Sequence, residues 1–111
     1  MVEFVEPADD GSFTAHRVDS DLDVVVKLSG ELDVSGLDRL NEATRHLPAN
    51  GRVTLDLSEL TFMDSSGIRA LMTLDLRSRA EQWTLALHAP QRQVLNVLSL
   101  CGFEDRFEIT P

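Results

Sequence analysis

Residues 53–72 read VTLDLSELTFMDSSGIRALM. Val53, Leu55 and Leu57 alternate with polar residues, so 53–57 is a strand with one buried face and Asp56 on the other. Residues 58–67 read as a polar turn anchored by Phe62 and Met63. A helix then runs from about 66 to 80. Ile68, Leu71, Met72 and Leu76 make its buried stripe, and Leu74 widens it. Asp64 or Ser65 is placed to cap it. A strand that feeds a helix in this way begins a parallel crossover.

Upstream, Leu22, Val24, Val26 and Leu28 alternate strictly, which predicts a strand over 22–29. Gly30-Glu31-Leu32-Asp33 breaks it, and Ser35 is a candidate cap for a helix carrying Leu37, Leu40, Ala43, Thr44 and Leu47, stopped by Pro48. Phe13, Ala15 and Val18 give a weaker strand, joined to 22–29 by a turn at 19–21, so the two form a hairpin. Residues 1–11 read as a flexible lead-in, because Pro7, Asp9, Asp10 and Gly11 extend no regular element.

Downstream, Trp83, Leu85 and Leu87 share one face of a strand over 83–88. Pro90 and Gln91 start a third helix with Val94, Leu95, Leu98 and Cys101 inward. Gly102 suits the left-handed position after it, with Phe103 packing back. Residues 107–109, FEI, suit a last short strand. The expectation is a single α/β domain over 12–110, with a mixed, mostly parallel sheet of four to five strands and helices mainly on one side.

Composition limits the function. With 111 residues the chain holds one domain. Its single cysteine forms no internal disulfide, and no apolar run approaches a membrane span. The acidic start lacks the basic and apolar regions of a signal peptide, so a cytoplasmic location is expected, with no membrane insertion. The net charge is -9, and residues 1–33 hold nine acids against Arg17 and Lys27. That argues against direct nucleic-acid binding and suits a basic protein partner.

Asp64-Ser65-Ser66-Gly67 is the sharpest feature. A hydroxyl in the first turn of a helix, at the end of a sheet, is reachable by another protein's active site. That makes Ser65 or Ser66 a candidate phosphoacceptor, which needs access rather than activation because a kinase brings its own base and metal. The bland reading of the same residues is a capped helix and a tight turn.

Catalysis by this chain has little support. His16, His46 and His88 have no recognised spacing to Ser65, and the pattern is not the Gly-x-Ser-x-Gly elbow. His46, His88 and Cys101 match no zinc pattern, and no Gly-rich loop carries a lysine. No enzyme activity, metal or cofactor is expected. Cys101 reads as a small buried hydrophobe.

Three segments in order carry a family resemblance: LSGELDVSG at 28–36, VTLDLSELTFMDSSGIRALM at 53–72 and NVLSLCGFEDRFEI at 96–109. With their spacing the chain resembles a STAS domain of the anti-sigma factor antagonist (anti-anti-sigma factor) type, found in sporulation and stress response. The resemblance implies regulation of transcription by partner switching, with Ser65 as the phosphorylated residue. It implies that the unphosphorylated domain binds a GHKL-type anti-sigma factor serine kinase and frees the sigma factor. Phosphorylation would end the complex, and a PP2C-type phosphatase would restore it.

The partner surface implied is Gly30, Glu31, Leu32 and Asp33, then Phe62, Met63, Asp64, Ser66 and Gly67, then Ile68, Arg69 and Met72 on the second helix. Arg69 departs from the family pattern, where a small residue often stands, and is expected to tune partner choice. A monomer or weak dimer is expected. The alternative is a non-switching STAS subunit of a membrane ABC transport complex or of a stress-sensing assembly.

Overall fold

The computed structural model describes residues 2–6 as backbone and residues 13–111 in full. The strands are β1 (Val2–Glu6), β2 (Phe13–Ser20), β3 (Asp23–Leu32), β4 (Arg52–Met63), β5 (Thr84–His88) and β6 (Glu108–Thr110). The helices are α1 (Leu37–Ala43), α2 (Ser65–Glu81) and α3 (Arg92–Leu100). All six strands form one sheet in chain order. β1, β2 and β3 are antiparallel, and β3 to β6 run parallel. The expected mixed, mostly parallel α/β sheet is present, with one more strand than anticipated. The sixth is Val2–Glu6, which lies within the stretch read as a lead-in; residues 7–12 lie outside the described residues.

The strands place one buried face toward the helices. Phe13 and Ala15 of β2, Val24, Val26 and Leu28 of β3, and Val53, Leu55 and Leu57 of β4 join Leu40, Leu71, Val94 and Leu98 in one core. Each of these side chains larger than alanine contributes about 1.5–3 kcal/mol on burial. The hairpin between β2 and β3 closes on Asp21 and Leu22, with Asp21 at φ 54. Leu22 is therefore exposed at the turn rather than the first inward residue of the strand. The helix C-terminus of α1 is held by β2: Arg17 donates to the carbonyl oxygens of Ala43 and His46 at 3.1 and 3.2 Å, while Asp19 pairs its other edge.

Several boundaries differ from the sequence reading. β3 continues through Gly30-Glu31-Leu32, where the sequence pattern suggests a break, and β4 continues through 58–63, where it suggests a turn. Two register irregularities explain both. Lys27 pairs with Asp56 but Ser29 with Glu59, and Gly30 pairs with Leu60 but Glu31 with Phe62. Each step inserts one extra residue in β4, so Leu57, Leu60 and Met63 all point inward at a spacing of three. A strand with that spacing shows no period of two. Gly30 absorbs the local bend at φ 91, where a side chain would be strained.

In α2 the inward positions are Gly67, Ile68, Leu71, Leu74, Asp75 and Ser78. Leu76 faces solvent at 60% exposure, against expectation. The stripe is rotated because it includes a polar residue: Asp75 is buried between Arg106 at 3.0 Å and Arg79 at 3.3 Å. In α3, Val94 and Leu98 are buried, but Leu95 and Cys101 are exposed. Cys101 caps the C-terminus of α3 just past its last residue, Leu100, and is not a core hydrophobe. Past it the Phe103 N–H donates to the Leu98 carbonyl and the Gly102 N–H to that of Ser99, with Gly102 at φ 73, as anticipated for this ending.

Candidate functional site

β3 and β4 end side by side, with Leu32 opposite Met63. The chain leaves both strands at the same edge of the sheet, the edge where loops of parallel sheets gather ligands and partners. Each exit uses the same device. After β3, Asp33 Oδ1 accepts from the Ser35 N–H at 2.9 Å and from the Ser35 hydroxyl at 2.6 Å, capping the short 3-10 turn Val34–Gly36. Ser35 is thus the capped residue rather than the cap, and α1 begins at Leu37 with no side-chain cap of its own. After β4, Asp64 Oδ1 accepts from the Ser66 and Gly67 N–H groups at 2.9 and 3.3 Å. The Asp64 N–H donates to the Leu32 carbonyl at 3.3 Å and ties the two exits together.

Gly67 is required where it sits. A Cβ there would collide with Met63 Cγ and sit 3.3 Å from Leu32 Cδ2. The absence of a side chain lets the first turn of α2 settle onto the ends of both strands.

Of the residues in the implied partner surface, Glu31, Phe62, Ser65 and Arg69 are exposed. Gly30, Asp33, Asp64, Ser66 and Met72 are half-buried. Leu32, Met63, Gly67 and Ile68 are buried and shape this surface from beneath. The Ser65 hydroxyl has no hydrogen-bond partner among the described residues. Val34, next to this group and not singled out from the sequence, is 71% exposed. Val34, Leu37, Asn41, Ser66, Arg69 and Ala70 line a groove of about 320 Å³ between α1 and α2. Leu37 and Asn41 belong to the site only because α1 packs beside α2, which no local pattern reveals.

The histidines stand elsewhere. His16 lies on β2, His46 follows α1, and His88 ends β5 with Nδ1 2.8 Å from the Thr110 hydroxyl. Among the described residues no group of three His, Cys, Asp or Glu is arranged to hold a metal ion. No helix among them is long and apolar enough to cross a membrane. On the sheet face away from the helices, burial pushes the Asp56 carboxyl up. The Ser58 N–H and hydroxyl, with His88 and Lys27 nearby, outweigh it and hold Asp56 below the usual carboxylate range. Arg52 reaches across β5 to Glu108, and its hydrogen bond holds Glu108 below that range as well.

The fold is shared with solved structures. A Thermotoga maritima protein assigned as an anti-sigma factor antagonist matches at a TM-score of 0.75 and 19% identity, over 86% of this chain and 84% of its own. An anti-sigma factor antagonist from Mycobacterium paratuberculosis matches at 0.70 and 21%, over 94% and 89%. A sulfate transporter family protein from Wolinella succinogenes matches at 0.70 and 16%, over 84% and 80%. At these identities the likeness establishes the fold. A family model described as Mlab, STAS domain matches residues 16–111, from within β2 to the last residue, and the chain accordingly belongs to the STAS domain family.

Proposed function

We propose that this STAS domain is a cytoplasmic anti-sigma factor antagonist that works by partner switching. In this reading the unphosphorylated domain binds an anti-sigma factor serine kinase of the GHKL type and frees the sigma factor. Transfer of a phosphoryl group to Ser65 ends the complex, and a PP2C-type phosphatase reverses it. The domain is a substrate and a competing ligand rather than a catalyst.

One observation carries the reading: the Ser65 hydroxyl is exposed and unpartnered at the first residue of α2, on a turn locked by the Asp64 cap. A kinase needs an accessible, positioned hydroxyl and supplies the rest. The surroundings support a protein partner. Glu31, Asp33 and Asp64 form an acidic rim, and exposed Phe62 and Val34 give apolar contact. A phosphate adds up to two negative charges, which a partner covering Ser65 would have to bury or repel. Two of the structural relatives are described as anti-sigma factor antagonists.

A second reading, a non-switching STAS subunit of a membrane transport complex, draws on the Mlab description of the family model and the likeness to a sulfate transporter family protein. Affinity capture from source lysate with wild-type and Ser65→Glu baits separates the two. A small GHKL-type kinase held by wild type and lost by the variant, with ATP-dependent phosphate mapped to Ser65, is the result expected. Permease or ATPase subunits held equally by both baits would establish the second reading. Phosphate mapped solely to Ser66 would overturn the assignment of Ser65.

A further inference from the structure

Two of the three arginines on α2 are already engaged. Arg77 pairs with Glu81 at 3.0 Å, donates to the Thr44 carbonyl at 2.9 Å and lies over the Trp83 ring. Arg79 pairs with Asp75. Arg69 is exposed and makes no ion pair or hydrogen bond with a described residue. In this state its side chain helps to line the groove between α1 and α2.

Arg69 stands four residues after Ser65, so the two side chains are neighbours on one helix face. Helical side chains lean toward the N-terminus, which carries the Arg69 stem back over the turn that starts at Ser65. The backbone offers little to an anion here. The Ser66 and Gly67 N–H groups are taken by Asp64, and the Ile68 N–H donates to the Asp64 carbonyl at 3.1 Å. A second anion at Ser65 would sit beside the Asp64 carboxylate, with Glu31 and Asp33 on the neighbouring exit. Arg69 is the cation one turn away that has no competing partner.

We propose that Arg69 is the intramolecular receptor for a phosphoryl group on Ser65, and that pairing with it draws Arg69 out of the groove between α1 and α2. The proposal rests on Ser65 being the phosphoacceptor. In the transfer, the bond from the γ-phosphorus to ADP breaks, Ser65 Oγ bonds to phosphorus, and the hydroxyl proton leaves to the kinase's base. Arg69 then meets the phosphate with its guanidinium fork, which suits two phosphate oxygens at once. Modification therefore changes two surfaces: it adds negative charge at Ser65 and removes positive charge from the groove beside Val34, Leu37 and Asn41. A partner segment that seats an acidic side chain against Arg69 loses its counter-charge in the same event. The Asp64 cap is left in place, because the phosphate has its own counter-ion.

The test does not need the natural kinase. Phosphoserine is installed at position 65 during translation in wild type, Arg69→Gln and Arg69→Lys, and the phosphate is titrated by phosphorus NMR. The second ionisation of the phosphate should fall about 0.15–0.4 units lower in wild type than in Arg69→Gln, with Arg69→Lys between them. The gap should shrink at about 1 M salt. Asp64, Glu31 and Asp33 are common to all three proteins and cancel. The Arg69 Nε–H resonance should also move on phosphorylation. Equal titration in wild type and Arg69→Gln would overturn the proposal. Arg69 touches no partner in the unmodified fold, so equal thermal unfolding of the unphosphorylated proteins is expected and excludes misfolding as a cause. The two readings fail separately: loss of the titration difference removes the Arg69 pairing, whereas kinase binding that ignores the installed phosphate removes the switch.

Discussion

The side-chain amide of Gln93 grips both backbone groups of Met63. The Met63 N–H donates to Gln93 Oε1 at 3.0 Å, and Gln93 Nε2 donates to the Met63 carbonyl at 3.2 Å. The reason lies in the sheet. β5 pairs with β4 only as far as Asp56 opposite His88, so the rest of β4 has no ladder partner on that side. The start of α3 supplies substitutes: Gln91 donates to the Ser58 carbonyl at 2.8 Å, and Gln93 satisfies Met63. Met63 immediately precedes the Asp64 cap and Ser65, so Gln93 sets the position from which the candidate phosphoacceptor turn departs.

Gln93→Ala should therefore loosen this turn. A buried N–H left without its partner costs about 1–3 kcal/mol. Hydrogen exchange should show the Met63 amide losing protection while Leu55, inside the ladder, keeps it. Unchanged protection at Met63 would mean that solvent replaces Gln93 without loss.

Gly67→Ala should destabilise the domain by about 1–3 kcal/mol, through overpacking against the buried Met63 side chain. Denaturant titration of Gly67→Ala, Met63→Ala and the double variant makes the cause visible. Removing the Met63 side chain clears the space that the new Cβ needs, so the double variant should lose less stability than the two single losses combined. Strict additivity would place the damage elsewhere.

Asp75 joins α2 to the segment before β6, and its two arginines are not equivalent. Arg106→Ala should lower the unfolding free energy by about 1–3 kcal/mol, because it takes a hydrogen bond from a buried carboxylate. Arg79→Ala should cost under about 0.5 kcal/mol, because the Arg79 end of this i,i+4 helix pair is exposed and Arg106 still holds the carboxylate. Chemical denaturation of the two variants compares them directly; equal losses would show that Arg79 carries more of the pairing than its exposure implies.

Asp56 should make stability depend on acid. Its carboxyl is held below its ordinary value in the folded state, so its contribution is present above the unfolded value, near pH 4, and is lost as the pH falls through the folded value. Asp56→Asn should be less stable than wild type at neutral pH, and the two unfolding midpoints should converge below about pH 4. A gap that stays constant down to pH 2 would rule out the carboxylate as its source.

The second half of the fold was legible wherever side chains repeat at a simple period. Val53, Leu55 and Leu57 announce β4, and Trp83, Leu85 and Leu87 the inward face at β5. Gly102 with Phe103 announces the end of α3. Legibility stopped where geometry broke the period. The two irregularities in β4 spaced Leu57, Leu60 and Met63 by three, and that half of the strand looked like a turn. Asp75 entered the core of α2 only because Arg106, 31 residues later, neutralises it there. Gln93 carries no local sign of its work, since its two partners are backbone atoms of Met63, 30 residues away.

The sequence by itself determined the alternation of strands and helices, the capped Asp64-Ser65-Ser66-Gly67 turn and the family to which these residues point. Those features follow from local steric and hydrogen-bonding preferences that a few neighbouring residues express. Only the tertiary structure decided that the exits of β3 and β4 lie side by side, that α1 and α2 enclose a groove at Ser66, and that Arg69 alone among the α2 arginines is left unpaired. Each of these depends on which distant groups come within hydrogen-bonding or ion-pairing reach, and that is set by strand register and helix packing rather than by any residue's own preference.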